Sequence, residues 1–370
     1  MRVLSVAIAT ALLIPCLDQH VAADPAVATT ASDVDVAVGR GIEYLKVRGQ
    51  DSDGSISGSN GTAITSLAVQ AILAHRPDAV TDPSVQNALR YILNNVRSDG
   101  GIYANGSKYR NYETSVAVSA LVRANRDGRY DSELDRAEVF LRGLQWDEGE
   151  GVESSDAAYG GAGYGSHGRP DLSNTSFMLD ALKDLGNGPD DEAIQKALAF
   201  VSRTQNLNTQ SNDTPHADKI DDGGFYYTPA AGGETKAGQT DGGGLRSYGS
   251  MTYAGLKSMI YAGLTADDPR VAAALGFIRR NYSLDQNPGM GAAGLYYYYH
   301  TFAKALSTAG IDTLDAEDGT PHVWRQELAS ALVDRQREDG SWINEDNPRW
   351  LEGDPALVTA YALLALSYVD

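Results

Sequence analysis

At 370 residues and 42% hydrophobic, the chain has the length of two or three domains and enough apolar side chains to bury a sizeable core, which excludes global disorder. Thirty Lys and Arg against 49 Asp and Glu leave a formal charge of -19 and a pI near 4.6. That balance argues against nucleic acid and anionic lipid headgroups as partners.

The first segment reads as an export signal. Arg2 supplies a positive start, and Val3 to Pro15 is apolar but too short to span a bilayer. Val21-Ala22-Ala23 offers small residues for cleavage before Asp24. The expectation is a signal peptide over residues 1–23, an exported protein in the periplasm or secreted, and one domain over 24–370. Leu13 to Cys16, LIPC, also loosely resembles a lipoprotein signal, so lipid attachment at Cys16 stands behind ordinary cleavage as the alternative. Cleavage after Ala23 removes the single cysteine, and with it disulfides, thiol catalysis and Cys-ligated zinc. No later segment is long and apolar enough to cross a membrane.

Beyond the signal, the chain repeats. TSLAVQAIL from Thr65, TSVAVSALV from Thr114, TSFMLDALK from Thr175, TYAGLKSMI from Thr252, YHTFAKALS from Tyr299 and TAYALLALS from Thr359 share one pattern. Five of the six open on threonine, and six positions on stands Ala71, Ala120, Ala181, Ser258, Ala305 or Ala365. The anchors lie 49, 61, 77, 47 and 60 residues apart, so the helices recur while the loops vary. A second helix precedes each, starting near Val34, Ser84, Asp131, Asp190, Asp268 and Val323. In the one after Asp82-Pro83, Val85, Leu89, Ile92 and Val96 fall on one face. The preceding helices are amphipathic, the anchored ones small and apolar nearly all round. That alternation predicts an all-α (α/α)6 toroid of six helical hairpins, amphipathic helices outside and enclosed ones inside. Four consecutive tyrosines, Tyr296 to Tyr299, fall at the start of the fifth inner helix, where their faces meet outer helices, ring neighbours and the lumen.

The turns within the hairpins carry a second signature. Gln336 to Trp342 reads QREDGSW, Gln50 to Ile56 QDSDGSI and Asn95 to Tyr103 NVRSDGGIY, and Asp222 to Phe225 gives DGGF. Asp-Gly favours a tight turn because glycine accepts positive φ. On these residues the chain resembles the prenyltransferase and squalene oxidase repeat family, whose QW motif Gln336, Gly340 and Trp342 match fully and the other units partially. The resemblance implies the α/α toroid of protein prenyltransferase β subunits, triterpene cyclases and thioester domains, and is much less specific for chemistry. The family's catalytic groups do not carry over. A prenyltransferase zinc and a thioester both need a cysteine that the mature chain lacks. A cyclase Asp-x-Asp-Asp motif is also missing; Asp218-Lys219-Ile220-Asp221-Asp222 is the nearest approach and runs into a turn. Asp33-Val34-Asp35 reads as a helix cap.

The weak catalytic candidates are therefore Asp221, Asp222, Tyr299 and His300, and the ligand-binding candidates Tyr248, Tyr253, Tyr299 and His300. Tyrosines can stabilise a cation, stack against sugars or, with histidine, serve acid–base elimination; core packing is the competing role. The aligned threonines are expected to pack helices. His75, His167, His216, His300 and His322 show no ligand spacing, and neither metal nor cofactor is expected. Two glycine-rich loops, 147–170 with Tyr159, Tyr164, His167 and Arg169, and 206–244, should cover the mouth that carries the turns, as a rim or as plain insertions. The leading reading is a toroid that binds an isoprenoid or a glycan at that mouth. Alternatives are a cyclase-like enzyme with divergent acids, a polysaccharide lyase using Tyr and His, and a protein-interaction scaffold whose lumen its own side chains fill.

Overall fold

The computed structural model describes residues 29–165 and 168–369. The segment read from sequence as an export signal, with Cys16, and His167 lie outside the described residues.

Twelve α-helices form among those residues. The outer set is α1 (Ala31–Val47), α3 (Pro83–Asn94), α5 (Asp131–Arg142), α7 (Glu192–Arg203), α9 (Pro269–Arg280) and α11 (Trp324–Asp334). The inner set is α2 (Ala63–His75), α4 (Arg110–Ala124), α6 (Leu172–Asp184), α8 (Gly249–Tyr261), α10 (Leu295–Thr308) and α12 (Pro355–Leu366). Each inner helix packs on the next, and α12 packs back on α2, which closes the ring. The toroid expected from the repeats is the fold observed. A two-stranded antiparallel hairpin, Leu314–Asp315 with Pro321–His322, interrupts the helices between α10 and α11.

Burial follows the sequence pattern. In α3 the buried residues are Val85, Ala88, Leu89 and Ile92, a single stripe, whereas every residue of α12 from Ala356 to Leu366 is buried. No helix among the described residues is long and apolar enough to cross a membrane.

The repeated side chains are structural. Each anchor threonine accepts the backbone N–H of the residue that ends the preceding turn: Thr65 from Ile56, Thr114 from Ile102, Thr175 from Ala162, Thr252 from Phe225 and Thr359 from Trp342. Each closes a buried donor that would otherwise lack a partner. The glutamines stitch these turns to the next outer helix. Gln336 Nε2 donates to Gly340 O within its turn and to Ala37 O of α1, joining the last unit to the first. Gly340 has φ +88°, and an added Cβ would lie 2.6 Å from the Arg40 carbonyl, so only glycine fits there. Gln145 and Gln205 make the same pair of bonds, to Gly160 and Ala193 and to Gly223 and Arg270. At the start of α1, Thr30 and Asp33 form a capping box, as the cap reading of that segment expected.

Candidate functional site

All six inner helices start at the mouth that carries the turns. At four of them a side chain accepts from the first N–H groups, either the helix's own N-cap or a residue of a neighbouring segment. Glu113 accepts from Thr62 N, Asp171 from Asn174 N, Asn287 from Ser250 N, and Glu352 from Tyr296 N and Tyr297 N.

Just inside this mouth an aromatic layer crosses the lumen. Tyr112 of α4 packs edge-on against Phe177 of α6 at 4.8 Å between ring centroids, and Phe177 stacks on Tyr297 of α10 at 6.0 Å. Tyr297 meets Tyr361 of α12 at 6.0 Å, and the Tyr361 and Tyr112 hydroxyls close the circuit at 3.1 Å. The Tyr297 hydroxyl also bonds Ser173 Oγ at 2.9 Å. Tyr112, Tyr297 and Ser173 are partly exposed, while Phe177 and Tyr361 are buried.

Beneath it lies a layer of charge. The buried Asp180 carboxylate receives Lys257 Nζ at 2.6 Å, Lys304 Nζ at 2.8 Å and the Tyr261 hydroxyl at 3.1 Å. Burial opposes the charge on Asp180, but the two ammonium groups outweigh it and hold the carboxyl well below its usual range. Burial lowers Lys257 to about 8. His300 stacks on Tyr361 at 5.8 Å, and burial, with the nearby ammonium of Lys304, lowers it to about 3, which keeps it neutral. Asp180, Lys257, Lys304, Tyr261 and His300 thus occupy this level of the ring. Surface depressions of about 440 Å³, beside Arg325 and Val323, and 330 Å³, beside Arg203 and Arg270, lie on the outside of the ring.

Above the aromatic layer the two long loops meet. Leu172 N donates to Tyr227 O, and the Thr228 hydroxyl to Pro170 O. Arg169 and Lys236 both pair with Glu234. The loop-over-mouth expectation matches this placement. The Asp171 carboxyl is raised to about 6, chiefly by burial, while the Asn174 bonds and the Tyr227 hydroxyl work the other way. The Tyr227 hydroxyl bonds the Asp171 carboxyl, and the Asp171 charge helps raise the hydroxyl pKa of Tyr164, Tyr227, Tyr248 and Tyr297 above the usual value, behind burial in each case. Tyr109 and Tyr164 form an edge-on pair at the rim, 53% and 42% exposed. Trp350, 43% exposed, rests on Gly294, where an added Cβ would come within 3.2 Å of its ring. Trp350 and Leu351 both hold left-handed backbone (φ 56° and 66°), a strain of about 1–3 kcal/mol each. The turn they make sends Trp350 outward and Glu352 inward onto the α10 N-terminus.

The candidates from sequence are distributed differently. Tyr248 is the buried N-cap residue of α8. Tyr253 and Tyr299 are buried in the wall: Tyr253 packs on Tyr298 and Phe302, and the Tyr299 hydroxyl donates to Leu284 O. His300 lies below the aromatic layer. Asp221 is exposed in a left-handed turn residue, and Asp222 accepts Gly224 N and the Ser247 hydroxyl, both at the outer edge. The structure does not bring Asp221, Asp222, Tyr299 and His300 together. Sequence reasoning missed Asp171, Tyr227 and the four-residue floor. The floor had a signal: Tyr112 and Tyr297 stand two positions before their repeat anchors, Phe177 and Tyr361 two after. Among the described residues no three His, Asp or Glu side chains converge as metal ligands.

No family model matches the chain, and no curated protein does. Several solved structures are similar. The type II terpene cyclase MstE from Scytonema, without ligand, gives a TM-score of 0.54 at 13% identity over 92% of this chain and 98% of that one. A variant of that cyclase in complex with geranylgeranyl dihydroxybenzoate gives 0.51 at 13% identity, over 91% and 97%. A possible member of the GH105 family from Salmonella enterica gives 0.51 at 11% identity, over 96% and 98%. At these identities the likeness speaks for fold alone: the chain is an α/α toroid.

Proposed function

We propose that this toroid is a binding protein that takes a saccharide ring in the cup at its loop-bearing mouth. The observation that carries the reading is the aromatic layer in which Tyr112 and Tyr297 are partly exposed and Phe177 and Tyr361 are buried behind them, with the Tyr227 hydroxyl and the Asp171 carboxyl nearby. A sugar ring stacks on aromatic faces while its hydroxyls need donors and acceptors at the edge, and this cup supplies both. Exposed Tyr109, Tyr164 and Trp350 extend that surface outward.

Filling of the lumen weighs against the other readings. A cyclase-like site needs depth for an isoprenoid tail, and the Asp180–Lys257–Lys304 cluster occupies that depth. A lyase using Tyr299 and His300 needs both at one surface, whereas one is in the wall and the other under the floor. A scaffold accounts for a filled lumen but also calls for a contiguous apolar patch. The exposed aliphatic residues are Val36 and Val47 of α1, Val139 of α5, Val323 before α11 and Leu351 before α12, so no more than two share an element. Calorimetric titration with a panel of neutral and acidic oligosaccharides tests the reading. Binding should weaken about tenfold or more in Tyr297→Ala, which removes one of the two partly exposed rings of the floor. Equal affinity in the variant would move the site elsewhere.

A further inference from the structure

Arg169 and Lys236 come from different loops and meet on one carboxylate, Glu234. Both also stand over one face-bearing group, the Tyr227 ring, with Arg169 Cζ 5.9 Å and Lys236 Nζ 4.5 Å from its centroid. The Tyr227 hydroxyl in turn meets Asp171. The two cations are therefore held together where the two long loops meet, linked through Tyr227 to Asp171 at the start of α6.

Their shared partner is held less firmly. Glu234 has its backbone tied to Thr228 by Glu234 N→Thr228 O at 2.9 Å and Thr228 N→Glu234 O at 3.1 Å. Its side chain is 37% exposed and can rotate into water without moving that backbone. An ion pair at such a surface adds little to stability, so fold maintenance does not explain two cations on one carboxylate.

We propose that Arg169 and Lys236 form a carboxylate clamp for an acidic saccharide, a uronate, and that Glu234 fills the clamp when no ligand is bound. This rests on the saccharide reading of the cup and names its substrate class. Exchanging one carboxylate for another conserves the charge-assisted hydrogen bonds, so the ligand must displace Glu234 but leaves no cation unpaired. The sugar ring would then lie on the aromatic floor with its acid group at the wall.

The test compares tri-galacturonate with its fully methyl-esterified form, which keeps the rings and removes the charge. Calorimetric titration of the full chain should show the acid binding about tenfold or more tighter than the ester. Glu234→Gln should tighten the acid several-fold and leave the ester unchanged, because the internal competitor is gone. Arg169→Gln should erase the preference, with Lys236→Met as the second variant should the first fail to fold. Equal binding of acid and ester would overturn the clamp and leave the saccharide cup standing. Binding of neither, in the parent chain and in Glu234→Gln alike, would remove the cup reading together with the clamp.

Discussion

Replacing Asp171 with Asn isolates the charge at the base of the cup. Burial raises this carboxyl from 3.8 to about 6. As pH rises, the unfolded chain loses its proton near 3.8 and the native chain only near 6. Between those values the native state binds more protons, so stability must fall across that window. Two pH units at 1.36 kcal/mol each make about 3 kcal/mol, present below pH 4 and gone by pH 6 to 7. Asparagine carries no charge at any of these pH values. Its new amide donor has an acceptor at hand, because Asn174 Oδ1 is buried without a partner and its amide can turn to face residue 171. Urea unfolding of parent and variant at pH 4, 5, 6 and 7 reads the effect directly. The variant should gain on the parent by about 3 kcal/mol from pH 4 to pH 7, with the change confined to that interval. Glu352, raised to about 7 by burial, titrates in both proteins and cancels in the difference. A difference that stays flat with pH would falsify the account of Asp171 as a desolvated acid.

Three further outcomes follow from the packing. Thr359→Val leaves the Trp342 N–H buried without an acceptor and should cost about 1–3 kcal/mol in urea unfolding, while Thr359→Ser recovers most of it. Asp180→Asn leaves Lys257 and Lys304 without their shared counter-charge and should cost about 3–5 kcal/mol; a loss below 1 kcal/mol would mean that water already screens the cluster. Tyr299→Phe removes one hydrogen bond in the wall, so it should lower stability by about 1 kcal/mol and leave saccharide affinity unchanged by calorimetry.

The fold was legible because it is written six times. The anchor threonines and the small residues six positions on recur whatever the loop length, and the burial contrast between α3 and α12 follows from composition alone. The turn signature was legible only where the loop is short. Gln145 and Gln205 bond glycines 15 and 18 residues away, so the insertions hid two stitches identical to those of Gln50 and Gln336. The site was less legible for two reasons. Adjacent residues on a helix point about 100° apart, so Tyr299 and His300, neighbours in sequence, face wall and lumen. Asp171, Tyr227 and Glu234 meet only because two insertions fold over one mouth, and no spacing within either loop encodes that meeting. One signal was present and unused. Asp180, Lys257 and Lys304 each stand five positions after their anchors, so aligned repeats place three charges at one height inside the ring.

The central claim is that the lumen is closed below the aromatic floor and that ligand enters only the cup above it. Side-by-side titration of the chain with tri-galacturonate and with geranylgeraniol, following intrinsic tryptophan fluorescence and calorimetric heat, tests this most directly. The account predicts saturable binding of the saccharide, abolished with the Arg169→Gln and Tyr297→Ala changes combined, and none of the isoprenoid. Saturable one-to-one binding of geranylgeraniol, weakened by substitution at Lys257 or His300, would show that the interior opens and would contradict it.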